Sequence, residues 1–259
     1  MTTSNDRPSN ANPLSVDSGY VSTEQDWHSF LSCWRSHVQA RLARGESYTK
    51  LQSVPPALNQ LSVDSTAAKR AIADAERRLG IKLPASYVHF VLASGDAGWF
   101  IESFGTPDDA NGKLISVSAI DLYPRADPEN FGYWSNSGPD TLNIEAEKYL
   151  RYGYHSEPLL RQDSVYFRID QLNSLIKVGD LDQGDAILLN PKVISVDGEM
   201  EAWLLSFKSF ASRYRSFAEL MQELAYLDIQ MDKAQSSIFV PKVLNEVACT
   251  NMLATAASR

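Results

Sequence analysis

Large apolar side chains recur at three- and four-residue steps from Trp27: Trp27, Phe30, Leu31, Trp34, Val38 and Leu42 fall on one face of a helix. The helix is expected to start at Thr23 or Glu24 and to stop at Gly45. Glu24 and Asp26 stand at its start, and Arg35, Arg41 and Arg44 lie farther along. That order complements the helix dipole and accounts for the arginines without a dedicated anion site. A linker follows around Val54-Pro55-Pro56. Asp64 or Ser65 can cap a second helix through Ala67, Ala71, Ile72 and Ala75 to Leu79, which Gly80 ends. Pro84 suits the first turn of a third helix, with Tyr87, Val88, Val91 and Leu92 on its apolar face and Gly95 at its end.

After Trp99 the period shortens. β-prone runs alternate with turn residues at 99–101, 114–117, 165–169, 175–178, 186–189, 193–196 and 202–205, and Asp197-Gly198 is a hairpin signal. A helix is expected over 143–152. Helical spacing returns over 210–227 through Tyr214, Phe217, Leu220, Met221 and Leu224. Helices, then strands, then a helix read as α+β: a mainly antiparallel sheet of about five to six strands with helices packed on it, plus the N-terminal helix. The expected organisation is a disordered leader (1–22), the N-terminal helix and its proline-containing linker (23–63), an α+β domain (64–228) and a C-terminal extension (229–259).

The 259 residues carry a formal net charge of −8. This disfavours general nucleic-acid binding, which requires a basic surface, and suits a basic partner. Cys33 and Cys249 lie far apart, so a disulfide framework is not expected and a reducing compartment fits better. The leader has no apolar core of a secretory signal, and no apolar run is long enough to span a bilayer. The expected location is the cytoplasm.

Enzyme chemistry finds little support. Asp180, Asp182 and Asp185 resemble the opening of a calcium loop, but the twelfth position is Pro191 where a bidentate Glu is required, so a solvated hairpin turn is preferred. Cys33 and His37 share a helix face, as a thiolate–imidazole pair would, yet Phe30 and Trp34 on that face favour packing. There is no nucleophile elbow, P-loop or dinucleotide fingerprint, and no catalytic residue, metal or cofactor is expected. The acidic stretch after the third helix is more informative. Asp96, Glu102, Asp108, Asp109, Asp127 and Glu129 lie among aromatics that read as exposed, including Trp99, Tyr123, Phe131, Tyr133 and Trp134. Asp96, Trp99, Glu102, Asp108, Asp109, Asp127, Glu129, Tyr133 and Trp134 are the candidate partner-binding residues, acids around aromatic anchors.

Three stretches carry a resemblance: ERRLGIKLPASYVHF from Glu76, VGDLDQGDAILLNP from Val178, and GEMEAW followed by RYRSFAELMQ between Gly198 and Gln222. Together they resemble the SUKH superfamily, which includes a yeast cell-wall assembly regulator and many bacterial toxin-immunity proteins. A related bacterial branch often has Trp where this chain has Met200, and residues 104–163 match poorly. The resemblance implies an α+β domain that binds a partner protein, commonly a toxin and often a nuclease, and it brings no catalytic residues. A regulatory scaffold like the yeast member is the alternative. Leu83, Tyr87, Phe90, Trp203 and Phe217 are expected in the core. Glu201, Arg213 and Arg215 would either form ion pairs beside the sheet or face the partner.

Overall fold

The structure, a computed structural model, describes residues 18–44, 64–96, 99–101, 112–137, 168–181, 184–207, 210–230, 249 and 253. Helix α1 (Glu24–Ala43) opens on a capping box. Thr23 Oγ1 accepts from the Asp26 N–H at 3.3 Å, and the Asp26 carboxylate accepts from the Thr23 N–H at 2.7 Å. The expected face, Trp27, Phe30, Leu31, Trp34 and Val38, is buried. Helix α2 (Ser65–Leu79) is capped by Asp64 and ends on Gly80, whose φ of 70° suits a residue without a Cβ. Helix α3 (Ala85–Ser94) begins after Pro84, which has no side chain able to cap it. Glu199 supplies the missing acceptor from the distant hairpin, taking the Ser86 N–H at 2.9 Å and the Ser86 hydroxyl.

Seven strands among the described residues form one antiparallel sheet. They are β1 (Trp99–Phe100), β2 (Lys113–Leu114), β3 (Asp121–Leu122), β4 (Ile176–Asp180), β5 (Ala186–Ile194), β6 (Met200–Ser206) and β7 (Phe210–Tyr214). The order is β1-β2-β4-β5-β6-β7, and β3 pairs with β4 on the same edge as β2. Alternation along the strands loads both faces. Ile187, Leu189 and Ala202 join the main core with α1, α2, α3 and the last helix, α6 (Phe217–Gln230). Ala186, Leu188, Trp203 and Leu205 point the other way, into a second core with Tyr123, Trp134 and Leu172. That side is covered by α4 (Tyr123–Ala126), α5 (Pro128–Ser137) and a 3-10 helix (Ile169–Ser174).

The antiparallel α+β layout agrees with the sequence; several details differ. Two expected strands, 186–189 and 193–196, are largely one: β5 continues through Asn190-Pro191 by shifting register between Asn190 and Ile194. The expected helix from 210 begins later. Residues 210–214 pair with β6, and Ser216 caps α6 by accepting from the Glu219 N–H at 3.2 Å. Of the strand expected over 165–169, residues 165–167 lie outside the described residues, and Ile169 opens a 3-10 helix that runs to Ser174. The helix expected over 143–152 lies outside the described residues.

Two further expectations are corrected. Residues 18–22, assigned to a disordered leader, pack against the fold. Ser18 is buried and bonds to Asp197, while the Tyr20 hydroxyl accepts from Trp27 Nε1 at 2.8 Å and meets His89 Nδ1 at 2.9 Å. Cys33 and Cys249, read as separate thiols, form a disulfide between α1 and the C-terminal segment. Their separation of 216 residues hid the pairing: the fold, not any local spacing, brings them together. Leu253 also enters the main core, and its carbonyl accepts from Gln222 of α6 at 3.0 Å.

Candidate functional site

The acidic stretch after β3 is structured, not loop. Pro124 lies in the first turn of α4, and the chain then restarts at Asp127-Pro128. Asp127 accepts from the Asn130 N–H at 3.3 Å and Pro128 opens α5, a cap followed by proline at the first helical position. The other Asp127 oxygen accepts from Asn130 Nδ2 at 2.9 Å and from Lys177 Nζ at 2.8 Å. Lys177 projects from β4, is nearly buried, and also pairs with Asp180. Burial favours the neutral amine, but the two carboxylates outweigh it and hold the Lys177 ammonium above its ordinary range. Burial likewise pushes Asp127 up, but the bonds from Asn130 and Lys177 prevail and hold it below the ordinary carboxylate range.

One turn along α5, Tyr133 and Trp134 part company. Trp134 is buried and stacks on Phe207 with centroids 5.3 Å apart. Tyr133 meets Phe207 edge-on at 4.7 Å yet remains 51% exposed. Phe207 lies just after β6, and its N–H donates to Asp185 at 3.0 Å. Gly184 has φ of 83°, and a Cβ there would lie 2.5 Å from the Phe207 ring and 2.8 Å from Asn130 Oδ1. Helix α5, Gly184 just before β5 and Phe207 just after β6 therefore meet at one end of the sheet. They display an aromatic ridge of Tyr133 and Phe207. Asp185 accepts from the Phe207 N–H, Glu129 is exposed one turn before Tyr133, and Asp127 and Asp180 share Lys177.

The candidate residues divide. Asp127, Glu129, Tyr133 and Trp134 come together on this face; Glu129 is exposed, and Trp134 supports the ridge from below. Trp99 lies on the opposite side of the sheet, buried against Trp34 at 5.6 Å under the Arg35 guanidinium. Asp96 is partly exposed and accepts from Ser116 Oγ at 2.7 Å and the Ser118 N–H at 3.2 Å. Glu102, Asp108 and Asp109 lie outside the described residues. The aromatics that read as exposed are, at Trp99, Tyr123 and Trp134, core residues; a large ring in a short element before a turn gives no clue to its direction. Sequence reasoning missed Lys177 and Phe207. Lys177 breaks an apolar strand run between Ile176 and Val178, and that interruption was the available signal.

The other ionisable groups singled out turn inward. Glu201 pairs with Arg213 at 3.0 Å inside the sheet layer, and Arg215 pairs with Glu219. Strands β4 and β5 pair antiparallel, and the Leu181 N–H donates to the Asp185 carbonyl at 2.8 Å; Asp182 lies outside the described residues. Among the described residues, Cys33, His37 and Cys249 bring their sulfur and imidazole atoms within 4.8 Å of one another. No helix among the described residues is long and apolar enough to cross a membrane.

A sequence model of the SMI1/KNR4 family (SUKH-1) matches residues 66–223. The chain belongs to the SMI1/KNR4 family. The matched span opens in α2 and closes within α6, so it holds the whole described sheet and the α5 face. Helix α1 and the Cys249 segment lie outside that family span. Neither a curated protein nor a solved structure matches the chain.

Proposed function

We propose that this SMI1/KNR4-family chain is an immunity-type protein: it acts in the cytoplasm by binding and neutralising a cognate bacterial toxin, a basic nuclease effector, and not by catalysis. The observation that carries this reading is Tyr133, a half-exposed aromatic braced by Trp134 and Phe207, with the exposed Glu129 one helical turn before it. Rigid aromatic anchors supply much of the energy of protein interfaces, and an acidic surround steers a basic partner and competes with phosphate for its groove. The chain's net charge of −8 acts in the same direction. The buried ion pairs Glu201–Arg213 and Lys177–Asp127 engage their charges within the fold, which suits a binding scaffold better than a reaction centre.

Co-expression with the toxin encoded beside its gene tests the proposal. The wild type is expected to form a stable complex and abolish toxicity. Tyr133→Ala combined with Glu129→Lys is expected to weaken the complex at least tenfold while lowering the unfolding midpoint only modestly, since Glu129 is exposed and Tyr133 is half-exposed beside Phe207. Unchanged toxicity with no complex would reject the immunity reading and favour the regulatory scaffold.

A further inference from the structure

His37 stands one helical turn after Cys33 on α1, on the side where the disulfide to Cys249 is made. The two sulfurs and an imidazole nitrogen all lie within 4.8 Å of one another. Cys249 is buried, whereas Cys33 and His37 are partly exposed, so the cluster sits at the margin of the main core with a route to solvent. Cys249 also has φ of 79°, the one positive φ outside glycine among the described residues. A side chain held in that region is costly and persists where surrounding structure imposes it; here the conformation carries the sulfur to Cys33.

We infer that Cys33, His37 and Cys249 form a redox-gated metal site, closed as a disulfide when oxidised and binding Zn2+ through two thiolates and one imidazole when reduced. Zinc prefers these donors at about 2.0–2.3 Å, which requires ligand atoms about 3.5–4 Å apart. The imidazole nitrogen already lies within 4.8 Å of both sulfurs. The sulfurs are bonded in the oxidised form and would move apart to that spacing by side-chain rotation after reduction, with their Cα atoms 5.6 Å apart. The Cys-x3-His step along one helix face presents two donors to one ion. The fourth position is left to water.

Oxidation state decides which form exists, because a disulfide sulfur carries no thiolate charge. A dithiol reductant attacks one Sγ, the Sγ–Sγ bond breaks, and the reductant leaves as its own cyclic disulfide with both cysteines as thiols. Zn2+ then replaces their two protons, which pass to solvent. In a reducing cytoplasm the metal-bound form would maintain the link between α1 and the C-terminal segment.

Co2+ is the probe. Full-length chain is reduced with a small dithiol, desalted anaerobically and titrated with Co2+, alongside untreated oxidised chain. The reduced chain is expected to bind one Co2+ with a thiolate-to-cobalt charge-transfer band that Zn2+ abolishes, and the oxidised chain to show none. Cys249→Ser should lose the band; His37→Ala should keep a thiolate band with affinity reduced about tenfold or more. No band in the reduced wild type, or a band that survives in Cys249→Ser, overturns the inference. The wild-type comparison needs no substitution, so a variant that folds poorly does not decide it.

Discussion

Glu199 shows how one side chain can serve a distant helix and carry a pH cost. It caps α3 from the β5–β6 hairpin, and burial pushes its carboxyl from 4.5 up to about 7, against the opposing bonds from Ser86. The folded state therefore holds this proton more tightly than the unfolded chain. Stability from this group is greatest below pH 4.5, falls as pH rises through about 7, and is then level. The shift corresponds to about 3 kcal/mol. Urea midpoints at pH 5 and pH 8 should show wild type losing ground to Glu199→Gln across that interval; the difference between the two proteins cancels the other carboxylates. Glu201 is held by a different set of partners. It accepts from Arg213 at 3.0 Å, Trp203 Nε1 at 2.6 Å and Asn190 at 2.9 Å, all buried. Glu201→Ala removes the buried carboxylate that pairs with Arg213 and should cost about 3–5 kcal/mol in urea unfolding. The double replacement Glu201→Met with Arg213→Met should recover most of that loss, because it removes both charges together.

Among the elements, those with long apolar periods were readable and those built from short pieces were not. The buried face of α1 and both ends of α2 follow from residue spacing, a capping Asp and a left-handed glycine. Helix α5 left no such trace: its ten residues hold Gly132 and several polar side chains, and its helical state depends on Asp127 and on packing against Phe207. The β7–α6 boundary was hidden because Tyr214 and Phe217 fit a helical period even though Ser216 breaks it. Of the proposed binding face, Tyr133 and Glu129 could be named from the sequence; the ring beneath Tyr133, contributed by Phe207 some seventy residues later, could not. The turns test this assembly. Gly198 and Gly184 both have left-handed backbones, but a Cβ at Gly198 meets open space and one at Gly184 strikes Phe207 and Asn130. Gly198→Ala should cost about 1–2 kcal/mol from backbone strain alone. Gly184→Ala should cost more by the same chemical unfolding measurement and, if the proposed toxin complex forms, should also weaken it, since it displaces the ring that braces Tyr133.

For the molecule as a whole, the α+β layout could be read from the order of helices and strands, because each apolar period needs a layer to bury against. The closure of the chain could not. The N-terminal strap meets the β5–β6 hairpin through Ser18 and Asp197, and the C-terminal segment meets α1 through Cys33 and Cys249; both contacts exist only in three dimensions. Under the chain-entropy account, a cross-link closing 216 residues restrains the unfolded chain by about 5 kcal/mol.

That cross-link also alters what a protease can achieve. A single nick anywhere from residue 34 to residue 248 cuts the backbone inside a covalent ring, so the two fragments stay joined. Trypsin-treated oxidised chain should migrate as one full-mass band on a denaturing gel without reductant, and separate into pieces once a thiol is added. In a host that digests loosened proteins, the oxidised molecule would outlast its first cut.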